Sequence, residues 1–278
     1  MHSALILVTL LVAYWLRWRW CSQPAPWEQR WRAALVSFCL PPLLLISTAI
    51  AILWMGHRGS MLGLPVQPYG CWLGAAGLGI AAGAVLAALI QSLIHIRALD
   101  HQPIVTLGKY QARYLPTSAA FAAQMGFWQP QLVVSQGLLN HLSEAEIQAV
   151  LAHERAHLYF RDTFWFFWLG WLRRFSCWLP QTDTLWQELL LLRELRADGW
   201  AAQRVDSLLL AEVLVKLVAL PLEHQPSVIE ALSHTSSPSR LEQRVTALMT
   251  GGTPTAAGVY PLELLAGLVP LASVLLHS

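Results

Sequence analysis

Charged residues are absent from three long stretches at the start of the chain. Ala4 to Leu16 is apolar and runs on to Trp18 and Trp20. Ala33 to His57 carries no charge. Gly59 to Ile96 carries none either, and its apolar part is about Cys71 to Ile94. A membrane-crossing helix needs ~20 apolar residues, so the pattern predicts three transmembrane helices at about 4–20, 33–56 and 71–96. The first run is short, but Trp and snorkelling Arg at its end suit a membrane interface. It lacks a positively charged start, and arginines follow it where a cleavage site would stand, so it reads as a retained span rather than a signal peptide. Pro41 and Pro42 fall near the start of the second span, where neighbouring helices can re-satisfy the backbone. Gly70, Gly74, Gly77, Gly79 and Gly83 on the third either permit close helix contact or reflect the small residues common in such helices. After a more polar stretch, Ala256 to Leu276 is again apolar, with only Glu263 charged and two prolines. It predicts a C-terminal transmembrane helix, 256–278.

Composition agrees with this. The chain has 278 residues, 55% hydrophobic, with mean hydropathy +0.46 and 12% charged, against about 25% charged in soluble domains. Disorder is excluded, since it needs low hydrophobicity and high charge. A net charge of +2 argues against nucleic-acid binding, which needs clustered cations. Cys21, Cys39, Cys71 and Cys177 are scattered, with no disulfide or zinc-knuckle spacing. Residues 1–96 hold only Arg17, Arg19, Glu28, Arg30, Arg32 and Arg58 as charges. Arg17 and Arg19 at the end of the first span, with Arg30 and Arg32 beyond it, place the loop between the first two spans in the cytoplasm. The chain then starts outside and enters the cytoplasm at about Arg97. Residues 97–255 form a more charged cytoplasmic domain. A transporter would want ionisable groups within the spans, and these have almost none.

One helix of that domain has a legible start. Ser143 and Glu146 have capping-box spacing, and Ile147, Val150, Leu151 and Leu158 give a helical apolar face. On it stands His153-Glu154-Arg155-Ala156-His157. Two histidines four apart lie one turn apart on one face and can converge on one ion. The intervening Glu154 can poise a metal-bound water. That is the mechanical content of the zinc-peptidase motif. Thr163 stands where a third histidine six residues beyond His157 would be. Glu194, in the helical stretch from about Leu185 to Arg204, is the candidate third ligand of a two-His, one-Glu site. Asp198 shares its face and could accept the other ring N–H of a liganding histidine. The alternative is a charged stripe on a solvated helix, with Arg193 and Arg196 as partners.

Thr163 to Leu172 is strongly apolar and aromatic; Arg173 and Arg174 follow, then another apolar patch to Leu179. If His157 and Glu194 share an ion they lie on one side of the membrane. Two crossings would need ~40 apolar residues, and only 36 residues separate the two. Segment 163–180 therefore reads as interfacial, with its Trp residues at headgroup depth, or else as a buried core helix.

The stretch Pro130–Asp162, PQLVVSQGLLNHLSEAEIQAVLAHERAHLYFRD, resembles the membrane-embedded gluzincin peptidases. It is most similar to the peptidase domains of the beta-lactam sensor-transducers and their sensorless relatives, and more distantly to the heat-shock protease HtpX and CAAX prenyl protease group. Arg193–Asp198 is similar to the downstream glutamate motif, and Ser239–Val245 with Leu248 to a later arginine motif. The resemblance covers roughly 100–250. It implies a mainly α membrane protein: transmembrane helices, a small α+β zincin-like domain with a short sheet, and one zinc per chain held by His153, His157 and Glu194. It implies Glu154 as general base and later acid, with Asp198 behind the ligands. A strand at about Ser118–Ala123, paired with Gln131–Ser135, would offer an edge to extended peptide. Arg244 would support the site or contact Asp198 or substrate. His234 is a candidate for stabilising the oxyanion, though its spacing is looser and the neighbouring proline is displaced to Pro238; a solvated loop histidine is the plainer reading. His95, His101, His141 and His224 have no assigned role. The transducers' penicillin-binding sensor is expected to be absent.

The expectation is thus a zinc metalloendopeptidase of the bacterial inner membrane, its catalytic domain in the cytoplasm. It would cleave a membrane protein, a cytoplasmic regulator or itself, with peptide and lipid bilayer as partners. The alternative is a catalytically silent membrane signalling or interaction protein, against which the intact Glu154 speaks.

Overall fold

A computed structural model describes residues 2–22, 24–57, 60–61, 64–65, 68–220, 238–251 and 262–276. The chain forms two compact units. One comprises Met1–Leu89, Trp168–Leu189 and Val259–Ser278; the other comprises Ile90–Phe167 and Leu190–Gly258. The contiguous division at 97 and 255 is therefore interrupted, because Trp168–Leu189 groups with the N-terminal helices.

In the first unit α1 is His2–Trp18 and ends two residues before the expected Trp20. Helix α2, Trp27–Met55, begins six residues before the expected start and takes in Glu28, Arg30 and Arg32. Pro26 precedes it, and Trp27 and Trp31 stack one turn apart at 5.4 Å. A two-residue ladder, β1 (Ser60–Met61) with β2 (Leu64–Pro65), leads to α3, Pro68–Asp100. By length and composition α2 and α3 are candidate membrane spans, whereas α1 is shorter. Of the α3 glycines, only Gly70 and Gly74 meet neighbours, His2 and Ala49; Gly77, Gly79 and Gly83 face open space.

The C-terminal helix expected at 256–278 is described from Leu262 to Leu276 and is a 3₁₀ helix with Pro270 inside it; residues 252–261 lie outside the described residues. Fifteen residues at ~2.0 Å rise reach about 30 Å, as far as twenty in an α-helix. It lies close on α2. A Cβ at Gly267 would be 2.8 Å from Leu43 Cβ. Ser47 donates to Gly267 O at 2.6 Å, and Arg32 pairs with Glu263.

Helix α6 is Asp162–Phe175 and α7 is Thr182–Ala202, so the expected stretch 185–204 starts and ends earlier. Segment 163–180 is thus a helix and a turn. Leu169, Leu172 and Leu179 are buried, while Trp165 and Trp178 are exposed. The turn is fastened by Arg17, which is fully buried. It donates to Phe38 O at 2.8 Å, Thr182 Oγ1 at 3.0 Å and Ser176 Oγ at 3.3 Å.

The second unit holds a mixed sheet in the order β3-β4-β6-β5: β3 Ile104–Leu107, β4 Tyr110–Leu115, β5 Ala122–Met125, β6 Gln131–Ser135. Strands β4 and β6 are parallel, and the outer pairings are antiparallel. Strand β5 is an edge, as expected, but it starts at Ala122 rather than Ser118. The cause is α4 (Gln136–His141), whose Gly137 N donates to Thr117 O at 2.9 Å. A Cβ at Gly137 would lie 1.9 Å from Ser118 O. Residues 117–119 thus pack on the start of α4, and laddering begins only beyond them.

Helix α5 is Glu144–Tyr159. Its capping box forms as read: Ser143 N donates to Glu146 Oε2 at 2.7 Å, and Ser143 Oγ accepts from Glu146 N. Val150 and Leu151 pack with Ala112 and Val134 of the sheet and Leu138 of α4. Ala149 and Ala152 pack with Leu210 and Ala211 of α8 (Ser207–Ala219) and Leu248 of α9 (Pro238–Thr250). The remaining face of α5 carries His153 and His157.

Candidate metal centre

Helical spacing of four on two helices builds the centre. Helix α5 presents His153 and His157, and α7 presents Glu194 and Asp198; all four are buried. His153 Nε2 lies 3.1 Å from His157 Nε2 and 3.3 Å from Glu194 Oε2, and His157 Nε2 is 3.7 Å from Glu194 Oε1. Among the described residues this is the group whose ligand atoms converge, all within 4.8 Å.

The other ring nitrogens face carboxylates. His153 Nδ1 is 2.9 Å from Asp198 Oδ1, as the sequence suggested. His157 Nδ1 is 2.7 Å from Asp162 Oδ2. Asp162 has no role assigned from the sequence. It reaches back because Arg161 adopts φ +54°, a turn that a non-glycine residue seldom takes. Arg196 in turn pairs with Asp162 and lies over the Phe160 ring.

Glu194 and Asp198 are held by arginines. Arg193 donates twice to Glu194 Oε1, at 3.0 and 2.7 Å. Arg244 on α9 donates twice to Asp198, at 2.7 and 2.8 Å, and its Nη1 is 3.4 Å from Glu194 Oε2. Both readings of the α7 stripe thus hold in part: its arginines are partners, but the stripe is not solvated. His234 lies outside the described residues. The ring of His141 meets Gly137 O, a local contact.

Electrostatics follow from this packing. Burial raises the Glu154 pKa, partly offset by His157 and His153. Burial also works against ionised Glu194, but Arg193, His157 and Arg244 prevail and hold it well below the usual carboxylate range. Asp198 is likewise lowered against its burial by Arg244. Burial opposes a charge on His153, yet contacts with Asp198 and Glu194 raise its pKa from 6.5 to about 10.

These features fit a zinc ion. Tetrahedral ligands at ~2.0–2.1 Å from zinc are roughly 3.3 Å apart, and the three observed edges bracket that value. His157 Nδ1 is hydrogen-bonded to Asp162 and His153 Nδ1 lies 2.9 Å from Asp198, so the two Nε2 atoms, 3.1 Å apart, are the ones turned to the point where a cation would sit. The charge count agrees. Glu154, Asp162, Glu194 and Asp198 outnumber Arg193, Arg196 and Arg244 by one, so the side chains around the two histidines leave room for added positive charge.

Residues 86–187 match the model of Peptidase family M48. That family implies a metallopeptidase. The matched residues include α5 with His153, Glu154 and His157. They end before Glu194, so the parts of Glu194, Asp198 and Arg244 rest on the geometry above. No curated protein and no solved structure matches the chain.

Proposed function

We propose that the protein is a membrane-bound zinc metalloendopeptidase of gluzincin type, acting on a membrane or membrane-proximal protein. The observation that carries this is the convergence of His153, His157 and Glu194 on one point, beside a buried Glu154 with a raised pKa. His153, His157 and Glu194 would hold the zinc. The ion supplies Lewis acidity and lowers the pKa of water. Glu154 takes a proton from the attacking water and gives it to the leaving amine; its raised pKa suits both roles. Asp198 and Asp162 fix the two imidazoles with Nε2 toward the ion. Arg244 and Arg193 keep Asp198 and Glu194 ionised. Edge strand β5 offers a place for extended substrate. The run Pro130–Asp162 supports kinship with the peptidase domains of the beta-lactam sensor-transducers.

The membrane reading rests on α2 and α3. Only 11% of the most apolar part of α3 is buried within the protein, so its surface needs another apolar medium. The arginines around the α1–α2 link support a cytoplasmic catalytic domain, facing inward from a bacterial inner membrane.

The test compares wild type, Glu154→Gln and His157→Ala. Wild type and Glu154→Gln should each carry about one zinc, and His157→Ala should lose it. Membrane proteomes should contain a fragment in wild type that is missing in Glu154→Gln. Identical proteomes with zinc retained would favour the catalytically silent alternative, and wild type purified without zinc would sink the site assignment.

A further inference from the structure

Away from the metal centre, the opposite face of α5 borders a cavity of about 640 Å³ against the sheet. Its lining includes Lys109, Arg113 and Arg155 and no acidic residue. Arg113 is already engaged. It donates to Gln131, to the carbonyls of Asp100 and Gln102, and to the Asp100 carboxylate. Lys109 and Arg155 are different. Both are exposed and have no carboxylate partner among the described residues; Arg155 donates to Tyr110 Oη at 3.3 Å, and both cations flank the Tyr110 ring, at 5.4 and 5.9 Å. Counting Asp100 at the rim, the cavity keeps an excess of two positive charges. One wall also bears Gln124, whose Oε1 is buried without a partner.

Two observations identify the anion's source. First, the cavity adjoins the end of α3. Asp100 is the last residue of that apolar helix and is bonded to Arg113 of the cavity wall. Second, the mouth is apolar, with Ile104 58% and Leu158 44% exposed. A free phosphate has no use for such a mouth, whereas an amphiphile does. We propose that this cavity binds the phosphate headgroup of an anionic phospholipid where α3 leaves the bilayer. Lys109 and Arg155 meet the phosphate, and Ile104 and Leu158 meet the start of the acyl chains. A glycerol headgroup adds no further cation. An ethanolamine headgroup would bring a third uncompensated cation and is disfavoured.

The inference rests on the membrane reading of α3, but not on peptidase activity. The full chain with its zinc is first tested for extraction. Recovery from membranes without detergent would overturn the membrane reading and this proposal together. Detergent-purified protein is then exchanged against phosphatidylglycerol and phosphatidylethanolamine, and retained lipid is read by native mass spectrometry. Phosphatidylglycerol should be retained about tenfold or more over phosphatidylethanolamine, as two cations near a phosphate allow. The Lys109→Gln/Arg155→Gln variant should lose that preference with zinc content unchanged, and Lys109→Arg/Arg155→Lys should keep it. Equal retention of the two lipids, or a preference that survives the double Gln variant, would overturn the proposal. So would soluble glycerol phosphate competing as well as the lipid, which assigns a free phosphate, or displacement by an acidic peptide alone, which assigns a protein ligand.

Discussion

At the scale of single residues, the centre depends on what stands behind the ligands. Asp162 holds Nδ1 of His157 and is itself held by Arg196. Replacing Asp162 by Asn keeps the shape but removes the charge that fixes the tautomer. Zinc affinity, measured by chelator competition, should fall about 10–100-fold, while Asp162→Glu should recover part of it. An unchanged affinity would show that His157 orients itself. His153 and His157 were legible as a pair because i, i+4 spacing on a helix is a strong constraint, whereas Glu194 and Asp198 were candidates on a shared helix face. Asp162 was not, because it returns through a left-handed turn at Arg161 that no glycine announces. Nor does sequence separate a solvated charged stripe from a buried one: Arg193, Glu194, Arg196 and Asp198 read the same until the helices facing α7 are known.

Local chemistry at the scale of elements was read well where a cap or an apolar period governs it, and poorly where a distant segment intervenes. The start of α5 at Ser143 is as the capping box requires. The start of β5 is not as expected, because the contact of Thr117 and Ser118 with Gly137 is long-range. The α5 cap also has a consequence for stability. The hydrogen bond from Lys216 of α8, with those from Ser143, lowers the Glu146 pKa from 4.5 to about 2. A carboxylate with a lowered folded pKa contributes stability that is fully present above its unfolded value and is lost as pH falls through the folded one. Glu146→Gln should therefore unfold at a lower temperature than wild type at pH 6, and the gap should narrow between about pH 4.5 and pH 2. Acid would remove the proposed zinc from both proteins alike, so the difference between them isolates the cap. A gap independent of pH would mean that Glu146 acts by packing rather than by charge.

For the whole molecule, low charge pointed to a membrane and the uneven placement of charge pointed to an orientation, but neither could place the aromatic segment after α5. Length now constrains it. Helix α6 has 14 residues, about 21 Å at 1.5 Å per residue, short of the ~30 Å hydrocarbon core. The turn that follows is tied to the end of α1, since Arg17 donates to both Ser176 and Thr182. The α6–α7 turn must then lie on the same side of the membrane as the α1–α2 link, whatever the orientation of the protein. The native cysteines report on this without mutation: Cys21 is in the link and Cys177 in the turn, both exposed, while Cys39 is buried. A membrane-impermeant maleimide should label Cys21 and Cys177 together. The arginines of the link place both in the cytoplasm, so labelling is expected in inverted vesicles and not in right-side-out ones. Labelling of both from the outside would reverse the orientation but keep the fold. Labelling of one from each side would mean that α6 crosses. His157 and Glu194 could then not share an ion, because the chain between them would end on the wrong side of the bilayer.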